Sequence, residues 1–167
     1  IAGALFGDGL AAVVVGPASA EVTGPRLLNT MTFTNYASQA MMAFQLSDKG
    51  FQIRLATRVP EALRAVAPDL VHNFLAQSGL TAADIRFWAI HPGGTKIVDY
   101  LAEALELKPD DLQYSRRVLR QYGNLSSVTI FFVLAEIVRH GQPQPGDYAL
   151  LQSFGPGLTI ELCLLQW

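Results

Sequence analysis

The stretch "IRFWAIHPGGTKIVDYL", residues 85–101, decides how the chain folds. Its first six residues are dense in β-branched and aromatic side chains and predict a short buried strand. Beyond it, Ile97, Leu101, Ala104 and Leu105 fall at helical spacing. A strand therefore runs into a helix through His91-Pro92-Gly93-Gly94, and an α/β arrangement follows. Gly93 and Gly94 clear side chains from a helix N-terminus, where backbone amides favour an anionic or oxyanion group, and His91 stands at its edge. A plain tight connection, its histidine bonded to a backbone carbonyl, would use the same residues, so the turn alone leaves both readings open.

The flanking sequence extends the pattern on both sides. Upstream, residues 10–16 predict a buried strand, residues 17–25 a turn and residues 26–35 a second strand, naturally paired as a hairpin. Residues 40–56 predict another hairpin that turns at residues 47–50. From Pro60, the positions Leu63, Val66, Ala67, Leu70, Val71, Phe74 and Leu75 mark one helix face, with Pro68 expected to kink or restart the helix and Gly79 to close it. Downstream, residues 116–123 predict a short helix stopped by Gly123. Residues 124–141 predict a helix capped by Asn124 or Ser126, apolar on nearly every side and hence enclosed by other elements. The end of the chain predicts two strands separated by "FGPG", residues 154–157. The expected architecture is a layered α-β-α domain with a mixed five-stranded sheet plus a hairpin.

Bulk properties exclude several classes. With 167 residues, half of them hydrophobic, the chain is long enough to bury a core of its own. Twelve basic and fourteen acidic residues give a net charge of −2, and no basic stripe supports nucleic-acid binding. The single cysteine, Cys163, excludes an internal disulfide framework and a cysteine-based zinc site, and it predicts a reducing, cytoplasmic setting. No metal site is predicted. The longest apolar run, residues 128–138, is interrupted by Glu136 and is too short to span a membrane. No secretory signal pattern opens the chain, which begins at Ile1 with a core-like pattern and is expected to be a piece of a longer polypeptide.

Two residues share a chemistry. A neutral imidazole at His91 and the carboxamide of Asn124, in "YGNLSS", can each direct an N–H at one oxygen, as an oxyanion hole requires. Together with "ALFGDG", "WAIHPGG" and "SFGPGLTIE", in that order along the chain, this sequence resembles the C-terminal half of type III polyketide synthases, the chalcone and stilbene synthase family. The prolines at positions 92 and 156 separate it from the third type of ketoacyl-carrier-protein synthase, which shares the histidine and asparagine.

The resemblance implies a thiolase-like half spanning residues 1–167, with the half that carries the nucleophilic cysteine missing upstream. It implies decarboxylative Claisen condensation of malonyl-CoA with a CoA-linked starter, these thioesters being substrates and no further cofactor being needed. His91 and Asn124 are then the donors to the thioester oxygen, Phe6 lies at the pocket entrance, and Ser126, Gly155 and Pro156 line the substrate pocket. A homodimer is implied, and the isolated chain should be inactive. Ser153 departs from the family, which usually has glycine there, and the region around residues 41–50 diverges too far to fix the pocket wall. The alternatives are a non-catalytic thiolase-fold binding or interaction domain and a ketoacyl-carrier-protein synthase-like half. Cys163, within a terminal strand, reads as a plain buried cysteine; His72 reads as a surface residue, His140 as a cation at a helix end, and Asp8 as a turn builder.

Overall fold

Strand and helix meet at His91 as the sequence predicts. The computed structural model describes residues 5–17, 24–48 and 50–167. Six strands are found among them: β1 (Arg26–Thr34), β2 (Met42–Ser47), β3 (Gly50–Leu55), β4 (Ile85–Ile90), β5 (Tyr148–Gly155) and β6 (Thr159–Gln166). The helices are α1 (Val59–Ala76), α2 (Thr95–Ala104), α3 (Gln113–Tyr122) and α4 (Thr129–Glu136), the last continuing as a π-helical turn over Ile137–Gly141.

A mixed sheet of order β1-β6-β5-β4 forms the middle layer, parallel between β4 and β5 and antiparallel elsewhere. It has four strands among the described residues, not five. Residues 8–17 form no regular element, and β1 takes its ladder from β6, with Thr32 opposite Glu161, instead of forming a hairpin with residues 10–16. Most of the expected turn between them, residues 18–23, lies outside the described residues. The apolar run stays largely exposed, with Leu10 85% and Val14 99% exposed. The second hairpin forms as predicted, β2 pairing with β3 as a separate two-stranded sheet.

Alternation along the strands sends side chains to two different cores. Trp88, Ile90, Leu150, Ile160, Leu162 and Leu164 face α1 and α2, meeting Leu63, Phe74, Val98 and Leu101. Phe87, Ala89, Ala149, Leu151 and Leu165 face α3 and α4, meeting Tyr114, Val118, Val133 and Ile137. The result is the expected α-β-α layering. Pro68 does not restart α1, which runs through it as one 18-residue element held by the buried stripe Leu63, Ala67, Val71 and Phe74. Helix α4 is enclosed on one side only, since Phe131 and Val138 remain exposed. No helix among the described residues is long and apolar enough to cross a membrane.

One polar residue breaks the first core. Gln152 pairs with Leu162 and lies beside Ile90, which places it on the α1/α2 face by the same alternation. It is fully buried, and its amide meets no hydrogen-bond partner among the described residues.

Candidate active site

Two turns converge at the C-terminal end of β4. His91 continues the strand by donating its backbone N–H to the Gln152 carbonyl at 2.8 Å, and its own carbonyl accepts the Gly93 N–H at 2.9 Å. The tight turn leaves the imidazole buried. A Cβ built on Gly93 would lie 3.1 Å from Ile97 Cδ1, so a side chain at 93 would crowd the helix, while the His91 ring, 3.6 Å away, would be in ordinary contact. Burial pushes the imidazole pKa down to about 4, and the ring is therefore neutral at pH 7, with one N–H to donate.

Asn124 is fixed from three directions. Its backbone N–H donates to the Leu5 carbonyl at 2.8 Å, and its carbonyl accepts the Gly7 N–H at 3.0 Å, so Phe6 and Asn124 form a parallel bridge. Gly123 makes this approach feasible: its φ is +74°, and a Cβ there would stand 2.7 Å from the Leu5 carbonyl oxygen. Gly7 faces the same constraint, 2.5 Å from the Tyr122 carbonyl oxygen. In the side chain, Oδ1 accepts the Ser126 N–H at 2.8 Å and Nδ2 donates to the Gly93 carbonyl at 3.3 Å. The carboxamide is thereby oriented, and it is tied directly to the turn that carries His91. One of its two N–H bonds remains for a ligand.

The two donors open onto a cavity of about 730 Å³. Phe6, His91, Asn124, Ser126, Gly155 and Pro156 all line it, so every site residue expected from the sequence reaches one space. Asn124 and Ser126 do not cap α4: neither side chain bonds the helix start, and Ser126, at φ +59°, gives its carbonyl to Thr129 Oγ1 at 2.7 Å. The opposite wall comes from the hairpin, through Met42, Ala43, Phe44, Ile53 and Leu55. These residues were not assigned from the sequence. The signal lay in the register, which sets Met42 against Leu55, Phe44 against Ile53 and Leu46 against Phe51 on one apolar face. Ser127, Ser153, Thr159 and Glu161 add polar groups.

The remaining candidates lie elsewhere. Cys163 is half-buried in β6, and burial pushes its thiol pKa up, the reverse of what a nucleophile needs. His72 is exposed on α1, and His140, also exposed, lies 3.7 Å from Glu136. Asp8 is exposed and orders no turn among the described residues.

Over its whole length the chain is similar to known proteins. Residues 28–167 match the model of the chalcone and stilbene synthases, C-terminal domain. The chain is 34% identical to the 3,5-dihydroxyphenylacetyl-CoA synthase of Amycolatopsis balhimycina, over 100% of this chain and 45% of that protein. It is 36% identical to the 1,3,6,8-tetrahydroxynaphthalene synthase of Streptomyces peucetius subsp. caesius, with the same coverage of 100% and 45%. Among solved structures, the 1,3,6,8-tetrahydroxynaphthalene synthase of Streptomyces coelicolor A3(2), a bacterial type III polyketide synthase, superposes with a TM-score of 0.81 at 32% identity, over 87% of this chain and 41% of that one. PKS-I of the brown alga Ectocarpus siliculosus shares the fold, with a TM-score of 0.79 at 23% identity. The chain thus spans less than half the length of the relatives it matches.

Proposed function

The chain belongs to the chalcone and stilbene synthase family, as its C-terminal domain, and from that premise we propose that it supplies the oxyanion donors of a type III polyketide synthase. The reaction is the decarboxylative condensation of malonyl-CoA with a CoA-linked starter. The observation that supports this most directly is the bond from Asn124 Nδ2 to the Gly93 carbonyl, which couples two buried donors from separate turns on one cavity wall.

The chemistry follows from where charge develops. As the bond between the malonyl carboxylate and its methylene carbon breaks, carbon dioxide leaves and the electron pair moves onto the thioester oxygen as an enolate. His91, neutral at working pH, and Asn124 each direct an N–H at that oxygen, where charge is greatest in the transition state. The enolate carbon then attacks the carbonyl of an acyl group carried on a cysteine, and the thiolate leaves. That cysteine belongs to the upstream half implied by the family resemblance, because the thiol of Cys163 is held protonated and lies outside the cavity lining. The complete protein is then a cytoplasmic homodimer, and the chain on its own makes no polyketide.

Two measurements test the reading. In the complete enzyme, His91→Ala and Asn124→Ala should each lower malonyl-CoA decarboxylation about a hundredfold or more while leaving thioester binding nearly intact. Unchanged decarboxylation in both variants would return the domain to a binding or interaction role. For the isolated chain, intact-mass analysis after incubation with acyl-CoA should show no acyl adduct, and a turning-over adduct on Cys163 would overturn the assignment of the nucleophile.

A further inference from the structure

The cavity wall carries a second polar pair that the decarboxylation step leaves unused. Ile90 lies beside Gln152, so His91, one residue further on, lies beside Ser153. Ser153 stands directly opposite Glu161, and Glu161 directly opposite Thr32. Alternation puts all four on the face that carries Ala89, Leu151 and Cys163. From this level on, that face turns from apolar to polar, in a row that crosses the whole sheet from the proposed catalytic histidine and is followed by Thr34 and Thr159. Adjacent strands lie about 4.8 Å apart, which sets Ser153 one step and Glu161 two steps from His91.

The groups in the row are complementary. Ser153 and Glu161 both line the cavity, beside the otherwise apolar wall formed by Phe44, Ile53 and Leu55. The Ser153 hydroxyl makes no hydrogen bond among the described residues, and it is free to donate. Glu161 accepts from Thr32 Oγ1 at 2.7 Å through one oxygen, Oε2, and presents its other oxygen as an acceptor. A donor and an acceptor side by side fit a ligand that offers the reverse. The enol form of a 1,3-dicarbonyl does so, with a carbonyl oxygen for Ser153 and an enol O–H for Glu161. A saturated acyl chain offers neither and would strip solvent from both groups without replacing their bonds.

We propose that Ser153 and Glu161 read the 1,3-dicarbonyl of the extended chain, so that the cavity selects a β-oxo-acyl intermediate over a saturated acyl group of equal length. This rests on the condensation proposed above, because that reaction makes such a unit at each extension. Ser153 and Glu161 are specificity-determining residues in this scheme, and the two donors to the thioester oxygen remain His91 and Asn124.

The test is a ratio of affinities in the complete enzyme, measured by calorimetry with a 3-oxoacyl-CoA and the saturated acyl-CoA of the same length. The parent should bind the 3-oxo thioester more tightly. Ser153→Ala and Glu161→Leu should each reduce that ratio about three- to tenfold, the worth of one hydrogen bond. Ser153→Thr, which keeps the hydroxyl, should retain the ratio, as a merely structural role for residue 153 would not require. A ratio unchanged in both Ser153→Ala and Glu161→Leu, or lost equally in Ser153→Thr and Ser153→Ala, would overturn the proposal. Because the readout is binding, it stands apart from malonyl-CoA decarboxylation: loss of selectivity without decarboxylation would uphold the row and refute the condensation, and the converse would do the reverse.

Discussion

At the end of β4 the two faces of the sheet place polar residues side by side and treat them in opposite ways. On the α1/α2 face, Gln152 sits fully buried among Ile90, Leu162 and their apolar neighbours, its amide without a hydrogen-bond partner among the described residues. On the other face, one residue along, His91, Ser153 and Glu161 border a cavity. A polar group costs stability in a packed layer and becomes useful only where the packing stops. Helices α3 and α4 cover β4 and β5, but Thr30 and Thr32 of β1 and Glu161 of β6 stay exposed on that side, which leaves the polar row room for a ligand.

The sharpest way to break the contrast is to remove function from one face and stability from the other. His91→Ala and Asn124→Ala should cost about 2.7–4 kcal/mol of transition-state stabilisation each, seen as lost decarboxylation, against a much smaller change in the unfolding midpoint. Comparable losses of stability in both variants would make the pair a structural device.

The histidine also carries a pH signature that Gln152 lacks. Its folded pKa is about 4, below the unfolded value of 6.5, so between these values the unfolded state binds more protons. Stability from this group is complete above about pH 6.5 and falls as pH drops towards 4, by about 3 kcal/mol in all. Urea unfolding at stepped pH should show that decline in the parent, and His91→Gln should flatten it. An equal slope in the variant would assign the acid sensitivity to other groups.

Smaller effects separate the supports of the two faces. Gly123→Ala places a side chain at φ +74° against the Leu5 carbonyl and should cost about 2 kcal/mol while displacing Asn124. Decarboxylation should therefore fall more than stability alone explains. Gln152→Leu should act in the other direction, adding about 1 kcal/mol and raising the melting temperature about 2–4 °C, because a buried amide with no partner among the described residues is exchanged for apolar surface. A lower melting temperature would show that the amide is satisfied within the folded protein.

What could be read from the sequence followed the local signals. Helix α1 was legible because Leu63, Ala67, Val71 and Phe74 keep one phase across Pro68, and the His91 turn because glycines and proline punctuate a strand and a helix. Residues 10–16 misled, since an apolar run reads as a buried strand whether or not a neighbour exists to pair with it, and β1 chose β6 through contacts more than a hundred residues away in sequence. His91 and Asn124 were singled out by their donor chemistry and by the family resemblance, and both line the cavity. The hairpin wall and Glu161 were not, because alternation tells which residues share a face but not which space that face borders.

The bridge between Phe6 and Asn124 bears on how such a domain can be cut from its gene. The span recognised by family similarity starts at residue 28, yet the asparagine is braced by the backbone of residues 5–7, whose hydrogen bonds at 2.8 and 3.0 Å hold its main chain from behind. Trimming to the recognised span would keep the α-β-α layers apart from Arg26 and Leu27 at the start of β1, and would discard the brace. The span recognised by similarity and the span that braces Asn124 do not share a boundary, and an excised or transplanted domain should carry residues 5–7 with it.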